Sequence, residues 1–353
     1  MRKIEVKIDL VGDWQRNVYR WFVLNCRSKW RFAEANNAHL ADAISRNDFS
    51  SVSEVDRSAL MSYYYNLCHR IVLPAKRRLT APDEGTLFAN IPTEKIPAIK
   101  SGWGAFKTDV EEGGRLEERQ TEKRFDIDGK DVLLDRFKIH HFHICVDPKK
   151  RGDYVVYCFV TNDAVKVITI DTHRAAFGRP ESCQAIVEKA YRLYPEEFSA
   201  FMIKGSVSST QVDLDVQKKL SWMNVNSAFG IGDKQFYPIG MGSMMNGVSF
   251  ESQRWMMHDQ RLFSASNNAM KRFAEDNISV IAKIISESTT SVTFRLFSGA
   301  RPVVEARSED ESLRMIYDII TGKVTLSCID TLVGRLKIKE VASKSSKVEG
   351  PTA

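Results

Sequence analysis

Three consecutive β-rich runs constrain this chain most. RFKIHHFHICV, DYVVYCFVT and AVKVITID follow one another with short breaks. Pro148 to Asp153 separates the first two, and Thr161-Asn162-Asp163 the next. Short strands joined by turn signals predict an antiparallel meander. The first run carries three histidines, His140, His141 and His143, and the third leads to His173. Side chains on a strand alternate faces, so His141 and His143 share a face with Ile139, and His140 falls on the other with Lys138 and Arg136. Asp171 and His173 share a face at the end of the third run. A meander lets these strand ends approach one another.

The flanking sequence predicts a mixed α+β fold. A helical, basic N-terminal region covers 1–98, with a short strand over Lys3 to Leu10 broken by Gly12-Asp13. Helices are expected from Trp14 to Ile44 and from Ser53 to Leu79. The His-rich sheet domain covers 99–205. It has a helix from Trp103 to Glu112, an exposed charged stretch from Arg115 to Lys123, and a helix from Pro180 to Leu193. A C-terminal α+β domain covers 206–341. There we expect a helix over Leu214 to Trp222, a hairpin or irregular turns around the glycines at 230–247, and a long helix from Phe250 to Ser286 interrupted near 264–266. A hairpin around Gly299-Ala300, a helix from Glu309 to Thr321, and two late strands follow. Residues 342–353 read as a disordered polar tail. With 353 residues, more than one core is expected.

Charge narrows the partners. Residues 1–80 hold 14 Lys/Arg against 8 Asp/Glu, which accounts for the whole +6 excess of the chain. A basic segment on a neutral body points to a polyanion, with RNA preferred. Arg16, Arg20, Arg27, Lys29 and Arg31 alternate with Trp14, Tyr19, Trp21 and Trp30, as cations and stacking rings do in single-strand binders. An amphipathic helix with rings inward explains the same spacing. No run of about 18 apolar residues predicts a membrane span. The N-terminus is too charged for a secretory signal. Six scattered cysteines fit reduced thiols in the cytoplasm.

The histidine constellation allows three chemistries. RNA cleavage without metal needs a base for the 2′-OH, an acid for the leaving 5′-oxygen, and cations on the phosphate. His141, His143 and His173 supply imidazoles that titrate near neutrality. Lys138, Arg136 or Arg174 could neutralise the phosphorane, and Asp171 could assist. No cofactor is then required. Alternatively the three histidines hold a divalent transition metal, with Asp171 as a fourth or supporting group. In the third reading they are packed, structural side chains of a non-enzymatic nucleic-acid-binding or regulatory protein.

LLDRFKIHHFHI, DYVVYCFV and VITIDTHR, with a helix end at Leu193-Tyr194-Pro195-Glu196, resemble a group of uncharacterised bacterial proteins with an IHHFHL-type strand motif over about residues 100–205. That group carries Asn-Trp where this chain has Leu193-Tyr194. The same meander is similar to the core of RelE-type ribonuclease toxins, with Arg136-Phe137-Lys138, Tyr154 to Phe159 and His173-Arg174 as counterparts. That likeness implies a toxin-like endoribonuclease, a hydrolase of an antiviral defence or toxin–antitoxin setting, with a neutralising or regulatory protein partner.

Other signals carry less. Gly230-Ile231-Gly232 and Gly240-Met241-Gly242 do not complete a dinucleotide fingerprint and read as turn glycines. Met256 and Met257 read as core. Asp126, Asp128, Asp131 and Asp135 read as a solvated loop, lacking the glycine and closing glutamate of a calcium loop.

Overall fold

The computed structural model describes residues 4–26, 31–32, 37–147, 152–174, 180–205, 220, 223–284, 291–298, 303–309, 312–319, 321, 323–330 and 337–345. The fold is α+β. It comprises two compact units, each assembled from stretches that are not adjacent in sequence.

One unit comprises residues 1–24, 47–57 and 256–353. Its sheet has six strands: β1 (Glu5–Ile8), β8 (Ser291–Ser298), β9 (Val303–Ser308), β10 (Leu313–Asp318), β11 (Lys323–Asp330) and β12 (Lys337–Ser345), adjacent in that order. Only β1 pairs parallel to its neighbour. Helix α1 (Leu10–Asn25) starts one residue after β1. Gly12-Asp13 therefore lies inside the first helix instead of breaking the chain. Asp13 explains why: it sits in the first turn, where a carboxylate suits the helix dipole, and its Oδ2 accepts the Leu296 N–H at 2.9 Å. Trp14 packs on Phe263 with ring centroids 5.4 Å apart.

Further expectations change in the C-terminal part of the chain. Residues 313–318 form a strand, not a helix. Leu313, Met315 and Tyr317 are buried while Arg314, Ile316 and Asp318 are half-exposed, the period of two that a one-faced strand needs. Ala342 to Ser345 pair with β11 as part of β12 and are not a loose tail. The long helix (Phe250–Asp276) passes through 264–266 unbroken. It ends at Asp276, and Asn277 separates it from the helix Ile278–Ile284. Met256 is buried, but Met257 is exposed.

The other unit comprises residues 25–46 and 58–255. Its sheet orders β2 (Arg78–Thr80), β5 (Ala164–Thr172), β4 (Tyr154–Val160) and β3 (Ile139–His143). The expected meander is β3–β4–β5, antiparallel throughout. Both faces are covered, which is why these strands read as continuous apolar runs. One face receives Ile99, Trp103, Phe106 and Val110 of a helix over Ile96–Glu112. A side chain at Gly102 would collide with Ile144, so the glycine lets that helix lie close. The helix stops at Gly113, whose φ of 83° is the left-handed conformation glycine favours. The opposite face receives Ile186, Val187 and Ala190 of the helix Pro180–Leu193. The hairpin β6 (Phe229–Ile231) and β7 (Lys234–Phe236) packs there too.

The first run does not begin as a strand. Arg136 and Phe137 close a short helix, Val132–Phe137, and Lys138 turns the chain at φ 55°. The expected helix over 214–222 lies outside the described residues, Leu220 apart.

Candidate functional site

The site is built at one end of this sheet, where β3 and β5 finish on either side of β4. Ile139 points into the core on the helix 180–193 face, so alternation puts His141 and His143 on that face too. His140 goes to the other face and stacks on Phe142, centroids 6.0 Å apart. His173 follows the last residue of β5, and its N–H donates to the Asp153 carbonyl at 2.6 Å. The three rings meet. His173 lies 5.2 Å from His141 and 5.4 Å from His143, the latter pair stacked within 7°. His141 and His143 are buried and His173 is half-exposed. The cluster thus presents one imidazole to solvent with two behind it.

The surroundings set the protonation. Burial, then the neighbouring imidazoles of His141 and His143 and the charge of Lys123, hold His173 down to about 4, with Asp131 opposing. Burial also lowers His141, again opposed by Asp131. Both are neutral at neutral pH. His143 Nδ1 lies 2.9 Å from the Gly152 carbonyl. A carbonyl only accepts, so Nδ1 carries the proton and Nε2 is the basic nitrogen.

A second layer comes from residues that sequence reasoning set aside. Asp126, Asp128 and Asp135 are buried, so the acidic stretch is not a solvated loop. Its partners come from far along the chain. Arg31 Nε donates to Asp126, Asn37 Nδ2 donates to Asp128, and buried Arg70 donates to the Asp126 and Ile127 carbonyls. Asp131 caps the helix 132–137 by accepting the Leu134 N–H, and its Oδ2 lies 3.9 Å from His141 Nδ1. Asp135, one turn on, lies 3.8 Å from His69 Nε2. Burial lowers His69 to about 4 and raises Asp135, disfavouring the charged form of each. The Asp131 signal was present in sequence as an aspartate three residues before a leucine in an apolar run. His69 had no local signal.

The remaining expected site residues differ in their surroundings. Lys138 is exposed, with Nζ 5.8 Å from the centre of the Phe201 ring. Arg136 is buried and donates to Ser227, which removes it from the phosphate role. Asp171 accepts hydrogen bonds from Asn90 and from the Thr172 N–H. Arg174 is exposed directly after His173. Arg16 is ion-paired with Asp13 and Asp9, and Arg20 is exposed, both in the first unit. Arg31 belongs to the second unit and holds Asp126. Arg27 and Lys29 lie outside the described residues. Trp14 and Tyr19 are buried, as the amphipathic-helix reading has it. Arg115 to Lys123 is not uniformly exposed, because Arg119 and Gln120 are buried.

Among the described residues, no three or more His, Cys, Asp or Glu side chains are arranged to hold a metal ion. None of the described helices is long and apolar enough to cross a membrane. Cys26, Cys68, Cys145, Cys158 and Cys183 form no disulfide. No protein-family model, curated protein or solved structure matches the chain.

Proposed function

We propose that the imidazole cluster is a metal-independent, acid–base centre that cleaves RNA, in a toxin-like endoribonuclease acting in the cytoplasm. The observation that carries this is the convergence of His141, His143 and His173 with only His173 open to solvent. A neutral His173 takes the proton of a ribose 2′-OH. The 2′-oxygen attacks phosphorus, the bond to the 5′-oxygen breaks, and the imidazolium returns its proton to that leaving oxygen. An imidazole held near 4 is a weak base but a strong acid once protonated, so the second transfer is the favoured one. Lys123 and Arg174 supply positive charge for the phosphorane. Free thiols accord with a reducing compartment.

Product chemistry tests the mechanism. Cleavage must leave 2′,3′-cyclic phosphate and 5′-hydroxyl ends, and a 2′-deoxy nucleotide at the cut must block it. Cleavage of the deoxy substrate, or 5′-phosphate ends, would refute the 2′-OH mechanism.

A further inference from the structure

The helix over 132–137 presents two carboxylates one turn apart, and each faces an imidazole. Asp135 faces His69, and Asp131 faces His141. The two are not equivalent. Asp135 is 2% exposed and its Oδ1 has no hydrogen-bond partner, so it is sealed in the interior. Asp131 is partly open, at 23% exposure, and lies beside the cluster. Its two oxygens are divided by geometry. Oδ1 accepts the Leu134 N–H at 3.0 Å, which fixes the carboxyl group as the helix cap. Oδ2 is then the oxygen left to face His141 Nδ1, at 3.9 Å. His143 has its own anchor for the same ring atom, the Gly152 carbonyl.

We propose that Asp131 is a positioning residue of the imidazole centre, holding His141 with its proton on Nδ1 so that Nε2 is the basic nitrogen behind His173. The inference rests on the RNA-cleaving reading for its catalytic consequence, though not for the contact itself. Of the two buried rings, His143 is fixed through Nδ1 by a carbonyl, and His141 turns its Nδ1 toward a carboxylate. The 3.9 Å separation needs a movement of about 1 Å to become a hydrogen bond. Such contacts commonly tighten when substrate is bound. A carboxylate in this place orients the ring and stabilises the charge that forms when the cluster takes a proton. The rings of His173 and Tyr157 also lie against His141, with centroids at 5.2 and 6.4 Å, and the Tyr157 hydroxyl donates to the Thr172 carbonyl. The carboxylate facing this ring is Asp131.

The double duty of Asp131 supplies a clean test. Asparagine caps a helix about as well as aspartate, so Asp131→Asn keeps the cap and removes the charge. Asp131→Ala removes both. Full-length protein with 15N-labelled histidine reports the His141 tautomer, assigned with His141→Asn, and RNA cleavage reports kcat and KM. We expect Asp131→Asn to keep the wild-type melting temperature, lower kcat about tenfold or more with KM unchanged, and shift His141 away from the Nδ1–H tautomer. Wild-type kcat in Asp131→Asn beside loss in Asp131→Ala makes Asp131 a cap alone and overturns the inference. The nitrogen shifts separate the two readings. If wild type cleaves no RNA, the proposed function fails, and an unchanged His141 tautomer in Asp131→Asn still overturns the positioning role on its own.

Discussion

Replacing Arg119 with alanine tests whether the strand that carries the histidines is held as described. Arg119 is 1% exposed although it sits in a densely charged stretch. Its Nε donates to Asp109 Oδ2 at 2.6 Å, and its Nη1 donates to the Cys145 carbonyl at 2.7 Å. Asp109 lies on the helix 96–112, and Cys145 follows the histidine strand by two residues. The side chain therefore ties the strand's exit to that helix. Breaking a buried ion pair from one side costs about 3–5 kcal/mol, because the abandoned partner loses solvation. Asp109 is 27% exposed and can recover some water, which places the loss near the lower end, about 3 kcal/mol. For a unit of this size that lowers the melting temperature by about 6–12 °C. Circular dichroism melts of Arg119→Ala and Arg115→Ala make the comparison. Arg115 makes an exposed pair with Glu118 at 3.3 Å, and its loss should change stability by less than about 0.5 kcal/mol. Equal melts for the two variants would refute the clamp.

Other consequences can be checked with simple methods. A side chain at Gly240 would overlap the Leu134 and Asp135 carbonyl oxygens, whereas at Gly104, inside a helix, nothing stands within 4 Å. Gly240→Ala should therefore disrupt the helix that carries Asp131 and lower urea stability. Gly104→Ala should raise it by about 0.4–1 kcal/mol; the opposite order would contradict the packing. Acid should destabilise the fold through His69 and His140, which burial holds down to about 4 and about 3 from a usual 6.5. The unfolded chain takes these protons first, so each histidine costs about 1.4 kcal/mol per pH unit as pH falls from about 6.5 toward its folded value. Asp135, raised by burial, opposes this because the folded state keeps its proton above the usual carboxylate range. Two histidines outweigh one carboxyl group. A melting temperature that stays level or rises from pH 7 to 5 would contradict this. Cys68 is exposed while burial pushes the Cys158 thiol well above its usual value. A thiol reagent should label Cys68 in the native protein and reach Cys158 only on unfolding, as peptide mapping would show; early labelling of Cys158 would place it outside the core.

The sequence carried the meander well because its strands are buried on both faces and bounded by turn residues. Alternation along Ile139–His143 was enough to set His141 and His143 on one face, and the end of β5 brings His173 to them. The strand at 313–318 was harder to read. Its alternation lasts only six residues, and the charged residues before it continue a helix-like pattern. The acidic stretch was misread because its burial is compensated from a distance. Arg31, Asn37 and Arg70 lie 56 to 95 residues away from the groups they satisfy, beyond any local pattern. His69 was invisible for the same reason: the neighbourhood that makes it a partner of Asp135 exists only in the fold.

The most direct measurement is cleavage of a labelled RNA by purified wild type, His173→Ala and His143→Ala in the presence of EDTA. Wild type should cut with the chelator present, and His173→Ala should lose about 10²-fold or more of the rate while melting like wild type. A folded His173→Ala that cleaves as fast as wild type, or activity that EDTA abolishes, would contradict a metal-free imidazole centre.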